Sequence, residues 1–418
     1  MDISEQTVRV HYGELLGVGS AWEVVKVEID HLGRELRAWV EWKEGRRLKC
    51  PECGKVCPGY DRLEQRTWRH LDACGYTTLL QARVPRGKCA RHGVLAQRPP
   101  WAEPGSRFTL AFEGYAIEVL LAARSVSSGC ALLRIDWQRA YRIRELAVAR
   151  GLKRRKLAKV RYLGVDEKSF GRGHSYGTVV TDLEGKRVLE MVEKREEESL
   201  QQAYESLGAE VKAGVEAVAM DMWRAYIKAT GEQLPQAKIV HDKFHVSGFL
   251  GEAVDKVRRS EHKQLKKEGD QTLTGSKYLW LMDPRNLTEA QEEEFATLLS
   301  ANLKAGKAWA LKETFVQFWN CPEAKAAERF FARWYGKAKR SRLKPVMEAA
   351  EKIKRHLANI VTYFEHRITN ATAEGINSFI QAIKSNARGF RRFESYRIAV
   401  LFYLGKLDMS PYATHTNA

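Results

Sequence analysis

The fold is decided by one short stretch, Arg161-Tyr162-Leu163-Gly164-Val165-Asp166. The stretch predicts a short buried strand that leaves a very basic segment and ends in a carboxylate, with residues 167–174 forming a loop after it. A carboxylate at the tip of a buried strand costs free energy unless something pairs with it. A metal ion is the usual partner where further acids converge. We therefore searched the rest of the chain for acids that reach the same place.

Composition bounds the class of partner. The chain has 418 residues, with 70 Lys and Arg against 52 Asp and Glu, which gives a net charge of +18. Such a surplus favours a polyanionic partner, because each phosphate contact releases counterions. No apolar run reaches the roughly 18 residues that span a bilayer, and residues 1–5 are no signal peptide. We expect a cytoplasmic protein with no membrane partner.

The N-terminal segment, residues 1–47, predicts a β-hairpin after a polar lead. Residues 22–29 and 36–42 each alternate apolar and polar side chains, and a turn containing glycine separates them. This period of two is typical of paired strands. The hairpin leads directly into the first pair of cysteines.

Two short motifs follow in which two potential metal ligands are separated by two residues, called knuckles below. They predict a zinc ribbon over residues 48–98. Five of the seven cysteines lie in this part of the chain, and without an export signal metal ligation is favoured over disulfides. Cys50-x2-Cys53 and Cys89-x2-His92 are separated by two strand-like runs, as in zinc ribbons. The alternative is a cluster of reduced thiols without metal. Two further cysteines compete as ligands: Cys57 and Cys74.

Residues 104–152 predict a small helical domain. Ser106 can cap a first helix, residues 125–133 form a second, and Asp136 can cap a third. Short helices joined by a tight turn, the last rich in arginine, are typical of a helix-turn-helix, although many helical bundles share this pattern. Residues 134–161 contain eleven basic side chains against two acidic ones. Because a zinc ribbon precedes this basic segment, we expect it to contact DNA.

Residues 158–250 alternate strands and helices. Strands are predicted over residues 161–166, 176–180, 187–192, 217–220 and 238–240, with helices over 197–213 and 223–230. Three antiparallel strands, then helix, strand, helix and strand, is the order of a ribonuclease-H-like sheet. In that fold the first and fourth strands are neighbours, so Asp166 and Asp221 are expected side by side at strand ends.

The rest of the chain is predicted to be helical. Residues 251–365 show no strand pattern and are expected to form an all-α insertion, with a second part of the core over 366–405. A helix there carries Glu374, Asn377 and Gln381 on one face. Its other face is apolar: Ile376, Phe379, Ile380 and Ile383. The predicted fold class is a multidomain α+β protein, with a ribonuclease-H-like α/β core interrupted by the all-α insertion and preceded by zinc ribbon and helix-turn-helix.

A short segment after the fifth strand carries His241, Asp242 and His245. The two histidines are four residues apart, which on a helix would give them one face, as zinc ligands have. The segment follows a strand, however, and no third ligand is evident. We expect these three residues, with Asn377, to support the site rather than to perform the chemistry. Asp242 and His245 would either shape the edge of the site or contact DNA.

Four blocks of the sequence resemble the ISL-three insertion-sequence transposases. In chain order they are Leu163-Gly164-Val165-Asp166-Glu167, Ala219-Met220-Asp221-Met222-Trp223, Val240-His241-Asp242-Lys243-Phe244-His245 and Ala373-Glu374-Gly375-Ile376-Asn377. The order of zinc ribbon, helix-turn-helix and a catalytic domain interrupted before its glutamate is similar to that family as well. The resemblance covers about residues 48–404.

The resemblance implies a DDE transposase of a bacterial insertion sequence with catalytic Asp166, Asp221 and Glu374. Two Mg²⁺ (or Mn²⁺) ions about 4 Å apart can serve phosphodiester cleavage, and these hard cations take carboxylate oxygens. By analogy Asp166 bridges both ions. Water attacks first, and a 3′-hydroxyl then attacks the target DNA without a covalent protein intermediate. One structural Zn²⁺ completes the implied cofactors.

The implied partner is double-stranded DNA, both as terminal inverted repeats and as target DNA. Because the two ends of an element are handled together, a homodimer or higher assembly is expected in the synaptic complex, at the nucleoid in the cytoplasm. The basic side chains expected to contact DNA are Arg134, Arg139, Arg142, Arg144, Lys153, Arg154, Arg155, Lys156, Lys384, Arg388 and Arg391.

Two other functions compete with this interpretation. A regulator derived from a transposase would bind DNA through the same N-terminal modules without cutting it. A zinc-dependent hydrolase would use the segment that contains His241 and His245.

Overall fold

The architecture comes from a computed structural model, which describes residues 3–123, 125–157, 159–171, 175–368 and 371–412. The chain divides into two compact units. The first contains residues 1–155 together with 407–418, and the second contains residues 156–406.

The first unit begins with a helix and a set of short strands. Helix α1 (Ile3–Leu15) occupies the segment for which the sequence indicated only a polar lead. The strands are β1 (Trp22–Asp30), β2 (Glu35–Trp42), β3 (Leu48–Lys49), β4 (Val56–Cys57), β5 (Gly59–Arg62), β6 (Arg66–Arg69), β7 (Thr77–Ala82), β8 (Pro85–Cys89) and β9 (Gly93–Ala96).

The predicted hairpin is confirmed, and it belongs to a larger sheet. β1 and β2 are antiparallel, with Trp22 opposite Trp42. β7 pairs with β2 in parallel and with β6 in antiparallel orientation, so the sheet order is β1-β2-β7-β6. Trp101 contacts Trp22 and Trp68 edge to face, with ring centroids 4.9 and 5.7 Å apart. The hairpin and the two strands β6 and β7 thus share one sheet and one aromatic core.

Three helices follow: α2 (Leu110–Ala122), α3 (Val126–Leu133) and α4 (Trp137–Arg154). Asp136 caps α4 as predicted. Ser125, predicted as the first residue of the second helix, is instead the cap of α3. The predicted cap of the first helix is wrong, because Thr109 and not Ser106 accepts the hydrogen bond from the Phe112 amide. The Ser106 hydroxyl instead donates to Glu113 at 2.8 Å.

A buried guanidinium ties α4 to the chain after residue 406. Arg150 lies 3.2 Å from Glu113 and 3.1 Å from Glu103, and its Nη1 donates to the Met409 carbonyl at 2.9 Å. A Cβ added at Gly151 would meet the Leu407 Cβ at 2.6 Å. Residues 407–412 therefore complete the packing of α4.

The second unit is organised around a five-stranded sheet of order β12-β11-β10-β13-β14. Its strands are β10 (Tyr162–Ser169), β11 (Tyr176–Asp182), β12 (Arg187–Glu193), β13 (Ala217–Met220) and β14 (Lys238–His241). The first three strands are antiparallel, and β10 pairs with β13 in parallel, as predicted. β10 does not end at Asp166 but continues through Ser169 along β11. The remaining predicted loop residues, 172–174, lie outside the described residues.

The sheet core explains the glycine in the deciding stretch. Leu163 and Val165 are fully buried. A Cβ on Gly164 between them would meet Thr181 Oγ1 at 2.6 Å and Leu183 Cδ2 at 2.8 Å. A larger residue at this position would force the Thr181 and Leu183 side chains to move.

The helices that flank this sheet are α5 (Glu197–Glu205), α6 (Ala209–Gly214) and α7 (Arg224–Gln233). The single helix predicted over 197–213 is wrong, because Gly208 with φ +79° separates α5 from α6.

Residues 243–366 form helices throughout, apart from their connecting turns. They are α8 (Lys243–Lys267), α9 (Lys277–Leu281), α10 (Glu289–Ser300), α11 (Lys304–Val316), α12 (Ala324–Arg340), α13 (Lys344–Arg355), α14 (Leu357–Val361) and α15 (Tyr363–His366). Short 3₁₀ turns lie at Pro284–Asn286 and Gln317–Asn320. Trp280, Phe315 and Trp334 lie in the core of this helical region.

Two helices end the second unit, α16 (Ala371–Asn386) and α17 (Phe393–Leu404). α16 carries Glu374 and Asn377, as predicted, but its apolar face is narrower than expected. Ile376 and Ile380 are buried, whereas the Phe379 side chain is 64% exposed. Among the described helices, none combines the length and the apolar character needed to cross a membrane.

Candidate catalytic and metal-binding sites

Asp166 lies on β10 beside the end of β13. Val165 and Met220 are register partners in the parallel pair, so Asp166 and Asp221 each follow one member of the same pair. The Glu167 amide donates to Asp166 Oδ1 at 2.7 Å. Both a salt bridge from Lys168 Nζ (3.2 Å) and a hydrogen bond from Asn377 reach Oδ2. The carboxylate predicted to need a partner has two donors and one cation within the protein.

Asp221 is paired with a histidine of helix α8. His245 Nε2 lies 2.9 Å from Asp221 Oδ1. This contact raises the pKa of His245, and the charges of Asp242 and Asp166 raise it further. Asp242 caps α8 by accepting from the Phe244 amide at 2.8 Å. The strand end at Asp221 and the first turn of α8 therefore form one polar cluster.

Glu374 reaches this cluster from helix α16. It precedes Asn377 by one helical turn, and Asn377 donates to Asp166. The pKa of Asp242 is raised first by burial and then by the charges of Glu374 and Asp221. The elements that carry the three predicted acids thus converge. Their oxygens do not form a closed ligand set, because within the described residues only the cysteine and histidine cluster below has all its ligand atoms within 4.8 Å of one another.

His241 faces the interior instead of the acids. It ends β14, outside helix α8, so it does not share a helical face with His245. Its Nδ1 lies 3.2 Å from the Met220 carbonyl, and its ring contacts His356 edge to face. Burial lowers the pKa of His241 to about 4. These contacts favour a neutral structural imidazole and disfavour a hydrolytic zinc ligand.

The paired knuckles bring four ligand atoms together, as predicted. Cys50 Sγ lies 3.4 Å from His92 Nδ1, Cys53 Sγ lies 3.8 Å from Cys89 Sγ, and Cys89 Sγ lies 3.8 Å from His92 Nδ1. Tetrahedral zinc with bonds of about 2.3 Å to sulfur has ligand atoms about 3.8 Å apart. The set therefore fits one structural Zn²⁺.

Neither rival cysteine belongs to this cluster. Cys57 Sγ faces the Leu48 carbonyl at 3.8 Å, and Cys74 is exposed. The backbone amides of His92 and Arg91 lower the pKa of Cys89 to about 6, which favours its thiolate. Of the candidate ligands that the sequence left open, the structure brings together Cys50, Cys53, Cys89 and His92.

Seven of the eleven predicted DNA-contacting side chains are exposed, one is buried and three are half-buried. Arg144 is only 3% exposed, and Arg154 donates to the Ser410 carbonyl beside Asp408. Neither side chain is presented to a ligand. Exposed residues of the set are Arg134, Arg139, Arg142, Lys153, Lys156, Arg388 and Arg391, while Arg155 and Lys384 are half-buried.

Two residues near the acids, Lys168 and Arg195, were not predicted from the sequence. Lys168 follows Asp166 by two positions on β10, so strand alternation could have indicated that they share a face. Arg195 forms an ion pair with Glu167 at 3.2 Å, and its guanidinium lies over the Trp223 ring at 5.1 Å. No local sequence pattern connects Arg195 to Trp223.

The protein has a Cys₃His cluster that fits a metal, an Arg-rich helical segment, and carboxylates on neighbouring strands. Together these features are typical of multidomain DNA-processing proteins. Sequence profiles narrow this class. The chain belongs to the transposase family ISL3: the family's DDE transposase domain matches residues 163–400, its helix-turn-helix domain matches 97–144, and the zinc finger of transposases IS204/IS1001/IS1096/IS1165 matches 46–92.

Curated relatives agree with this family. The transposase for insertion sequence element IS1557 of Mycobacterium tuberculosis is 28% identical over 406 residues, which cover 90% of this chain and 91% of the relative. The transposase for insertion sequence element IS1001 of Bordetella parapertussis is 27% identical over 394 residues, covering 93% and 96%. Transposases cleave DNA and transfer strands, and the helix-turn-helix domain implies DNA binding.

Proposed function

We propose that this protein is the transposase of a bacterial insertion sequence, and that Asp166, Asp221 and Glu374 are its catalytic carboxylates. One arrangement carries the proposal. The Val165–Met220 register places β10 beside β13, and the Asn377–Asp166 hydrogen bond joins helix α16 to β10. The sheet order supports a ribonuclease-H-like core, and we infer that helices α8–α15 are an insertion within it.

The donor set fits a hard divalent cation such as Mg²⁺ or Mn²⁺, since Asp166, Asp221 and Glu374 offer only carboxylate oxygens. When bound, such ions activate the attacking oxygen and stabilise the leaving one in an in-line displacement at phosphorus. Lys168 Nζ lies 3.2 Å from Asp166, and His245 Nε2 lies 2.9 Å from Asp221. We infer that these two basic side chains keep the acids ordered before DNA and metal arrive.

The remaining residues of the cluster act as positioning groups. Asn377 fixes the Asp166 carboxylate while leaving Glu374 exposed one turn away. The Asp242 carboxylate caps helix α8, which in turn presents His245 to Asp221. The first turn of α8 therefore holds the Asp221 side of the site, and α16 holds the Asp166 side.

We infer that the N-terminal unit recognises the terminal inverted repeats. Exposed arginines on α4, including Arg139 and Arg142, suit contacts with the DNA backbone. One zinc ion at Cys50, Cys53, Cys89 and His92 would stabilise the adjacent short strands. A dimer or larger assembly would hold both ends of the element in the active complex.

Cleavage of the element ends tests this function. The substrate is duplex DNA that includes the genomic segments on either side of the reading frame, incubated with Mg²⁺ or with a chelator. We expect metal-dependent cleavage that falls to background in Asp166→Asn, Asp221→Asn and Glu374→Gln, with DNA binding retained in gel-shift assays. Glu193→Gln, an exposed acid at the end of β12, is the matched control. Full cleavage by Asp166→Asn would falsify the proposal.

A DNA-binding regulator is the competing function. It would shift the same DNA ends without nicking them in either Mg²⁺ or Mn²⁺. The retained acids and their ordered partners favour the enzyme over the regulator.

A further inference from the structure

A small cavity opens beside Asp221, and both members of the ion pair between Glu167 and Arg195 line it. Its volume is about 170 Å³, and the rest of its lining is Asp221, Met222, Trp223, Tyr226, His245 and Phe249. At roughly 30 Å³ per water molecule, it holds the volume of about six waters. That space suits one planar heterocycle and is too small for a base pair.

The aromatic wall of the cavity is held in place yet open to solvent. The Trp223 indole Nε1 donates to the Arg195 carbonyl at 3.1 Å, while 44% of the residue remains exposed. The Arg195 guanidinium lies over both the Tyr176 ring (4.5 Å) and the Trp223 ring (5.1 Å). A large exposed indole fixed by a hydrogen bond and a cation–π contact is arranged for stacking with a further ring.

The charge of Arg195 is already compensated. Its Nη1 lies 3.3 and 3.2 Å from the two carboxylate oxygens of Glu167. The guanidinium therefore supports the indole instead of offering a free positive charge to a phosphate. The chemistry of the cavity favours the flat apolar face of a base over the DNA backbone.

We propose that this cavity binds one nucleobase, flipped out of the duplex next to the phosphate that is cleaved, with Trp223 as its stacking platform. The inference rests on the proposed function, which brings DNA to Asp221. Enzymes that extrude a base pay an unpairing cost that is smallest for a mismatched base, and stacking on an aromatic side chain offsets it. Because the cavity would accept a base from one position only, it would determine which phosphodiester bond is cleaved.

The test compares Trp223→Ala with Trp223→Phe on paired and mismatched DNA ends. Loss of one base–aromatic stack corresponds to roughly a 10- to 100-fold fall, expected here in the cleavage rate of Trp223→Ala on fully paired DNA. For Trp223→Ala, a mismatch at the extruded position should raise the cleavage rate by at least about tenfold over the rate on paired DNA. The cleavage rate of Trp223→Phe should stay near that of the wild type. Tyr278→Ala is the matched control, because Tyr278 is 65% exposed on α9 and does not line the cavity.

Base extrusion is measured directly with 2-aminopurine placed in turn at each nucleotide around the cleaved bond. In the non-cleaving Asp166→Asn protein, fluorescence should rise at one position on binding, and the added Trp223→Ala change should abolish that rise. Wild-type rates for Trp223→Ala, equal losses on paired and mismatched DNA, or no fluorescence change at any position would overturn the inference. These results leave the proposed function standing, whereas cleavage by Asp166→Asn alone would overturn that function instead.

Discussion

The Asn377 amide donates a hydrogen bond to Asp166 Oδ2 across 211 positions of the sequence. This bond joins helix α16 to the central strand β10 and sets the distance at which Glu374 stands from the other acids. The Asn377 residue is buried, and its side-chain oxygen has no protein partner among the described residues. Its amide is therefore specialised for holding the Asp166 carboxylate.

Removal of this amide should weaken the metal site without unfolding the protein. We expect Asn377→Ala to lower cleavage by roughly 10- to 100-fold, the usual effect of losing a partner of a metal ligand. The loss should be partly recovered at higher Mg²⁺, because Asp166 remains present but is poorly oriented. Titration of Mg²⁺ in the cleavage assay measures this shift. Gln381→Ala, an exposed position one turn further along α16, should behave as wild type. Equal Mg²⁺ requirements in both variants would refute the role.

Zinc content should follow the four ligands and no other cysteine. We expect about one zinc per chain in the wild type and in Cys74→Ser, and none in Cys89→Ser, because Cys74 is exposed outside the cluster. Folding energy that the metal supplies is then lost, so Cys89→Ser should melt at a lower temperature. Elemental analysis and thermal unfolding of the full chain check both points. Zinc loss from Cys74→Ser would show that the ligand set is wrong.

DNA binding should lose salt dependence when exposed arginines of α4 are removed. Each lost phosphate contact reduces the slope of log K against log salt by about 0.9. We expect the double change Arg139→Ala and Arg142→Ala to reduce the slope by about 2, measured with the element end between low and moderate salt. Arg285→Ala is the control, since this exposed arginine pairs with Asp283 in the helical region. An unchanged slope in the double variant would place the DNA elsewhere.

Stability of the first unit should fall in mild acid because of His70. Burial lowers the pKa of His70 from 6.5 to about 4, and its Nδ1 lies 2.9 Å from the Thr109 hydroxyl. Below pH 6.5 the His70 imidazole is protonated in the unfolded chain, whereas in the folded state it stays neutral until about pH 4. The free energy of unfolding should therefore decline by about 2 kcal/mol from pH 7 to pH 5 through this group.

Urea titrations of wild type, His70→Gln and His11→Gln at both pH values isolate that contribution. The glutamine variant keeps a group able to bond Thr109 but cannot titrate, so its decline should be smaller than that of the wild type. His11 is exposed on α1, and its replacement should leave the decline unchanged. The same pH dependence in all three proteins would remove His70 as the cause.

Local patterns in the sequence were sufficient where one element decides the outcome. Alternation predicted β1, β2 and the five strands of the second unit, and ligand spacing predicted the zinc cluster. The start of α2 failed because it depends on tertiary contacts: Glu113 draws away the Ser106 hydroxyl, and Phe108 bridges to Arg69 in the sheet. Neither contact can be predicted from the local sequence pattern that identifies helix caps.

The candidate site shows the same division. The strand order predicted that Asp166 and Asp221 are neighbours, although β10 continues to Ser169 and Asp166 therefore lies within its strand. Asn377 and Arg195 meet their partners across long sequence separations. Arg144 is the opposite case. It lies four residues after Ala140 and three before Ala147, both buried, so helical periodicity could have excluded it from the DNA-contacting set.

The return of residues 407–412 to helix α4 has a consequence for synthesis on the ribosome. Arg150 gains the Met409 carbonyl only after the whole second unit, residues 156–406, has been translated. At about 5–20 residues per second, that interval lasts roughly 12 to 50 seconds. During this interval Arg150 lacks its contact with Met409. Translation of a truncated mRNA, or a stalled ribosome, would therefore yield a first unit with incomplete packing around α4. Complete packing of helix α4 is thereby reserved for chains that also contain the acids.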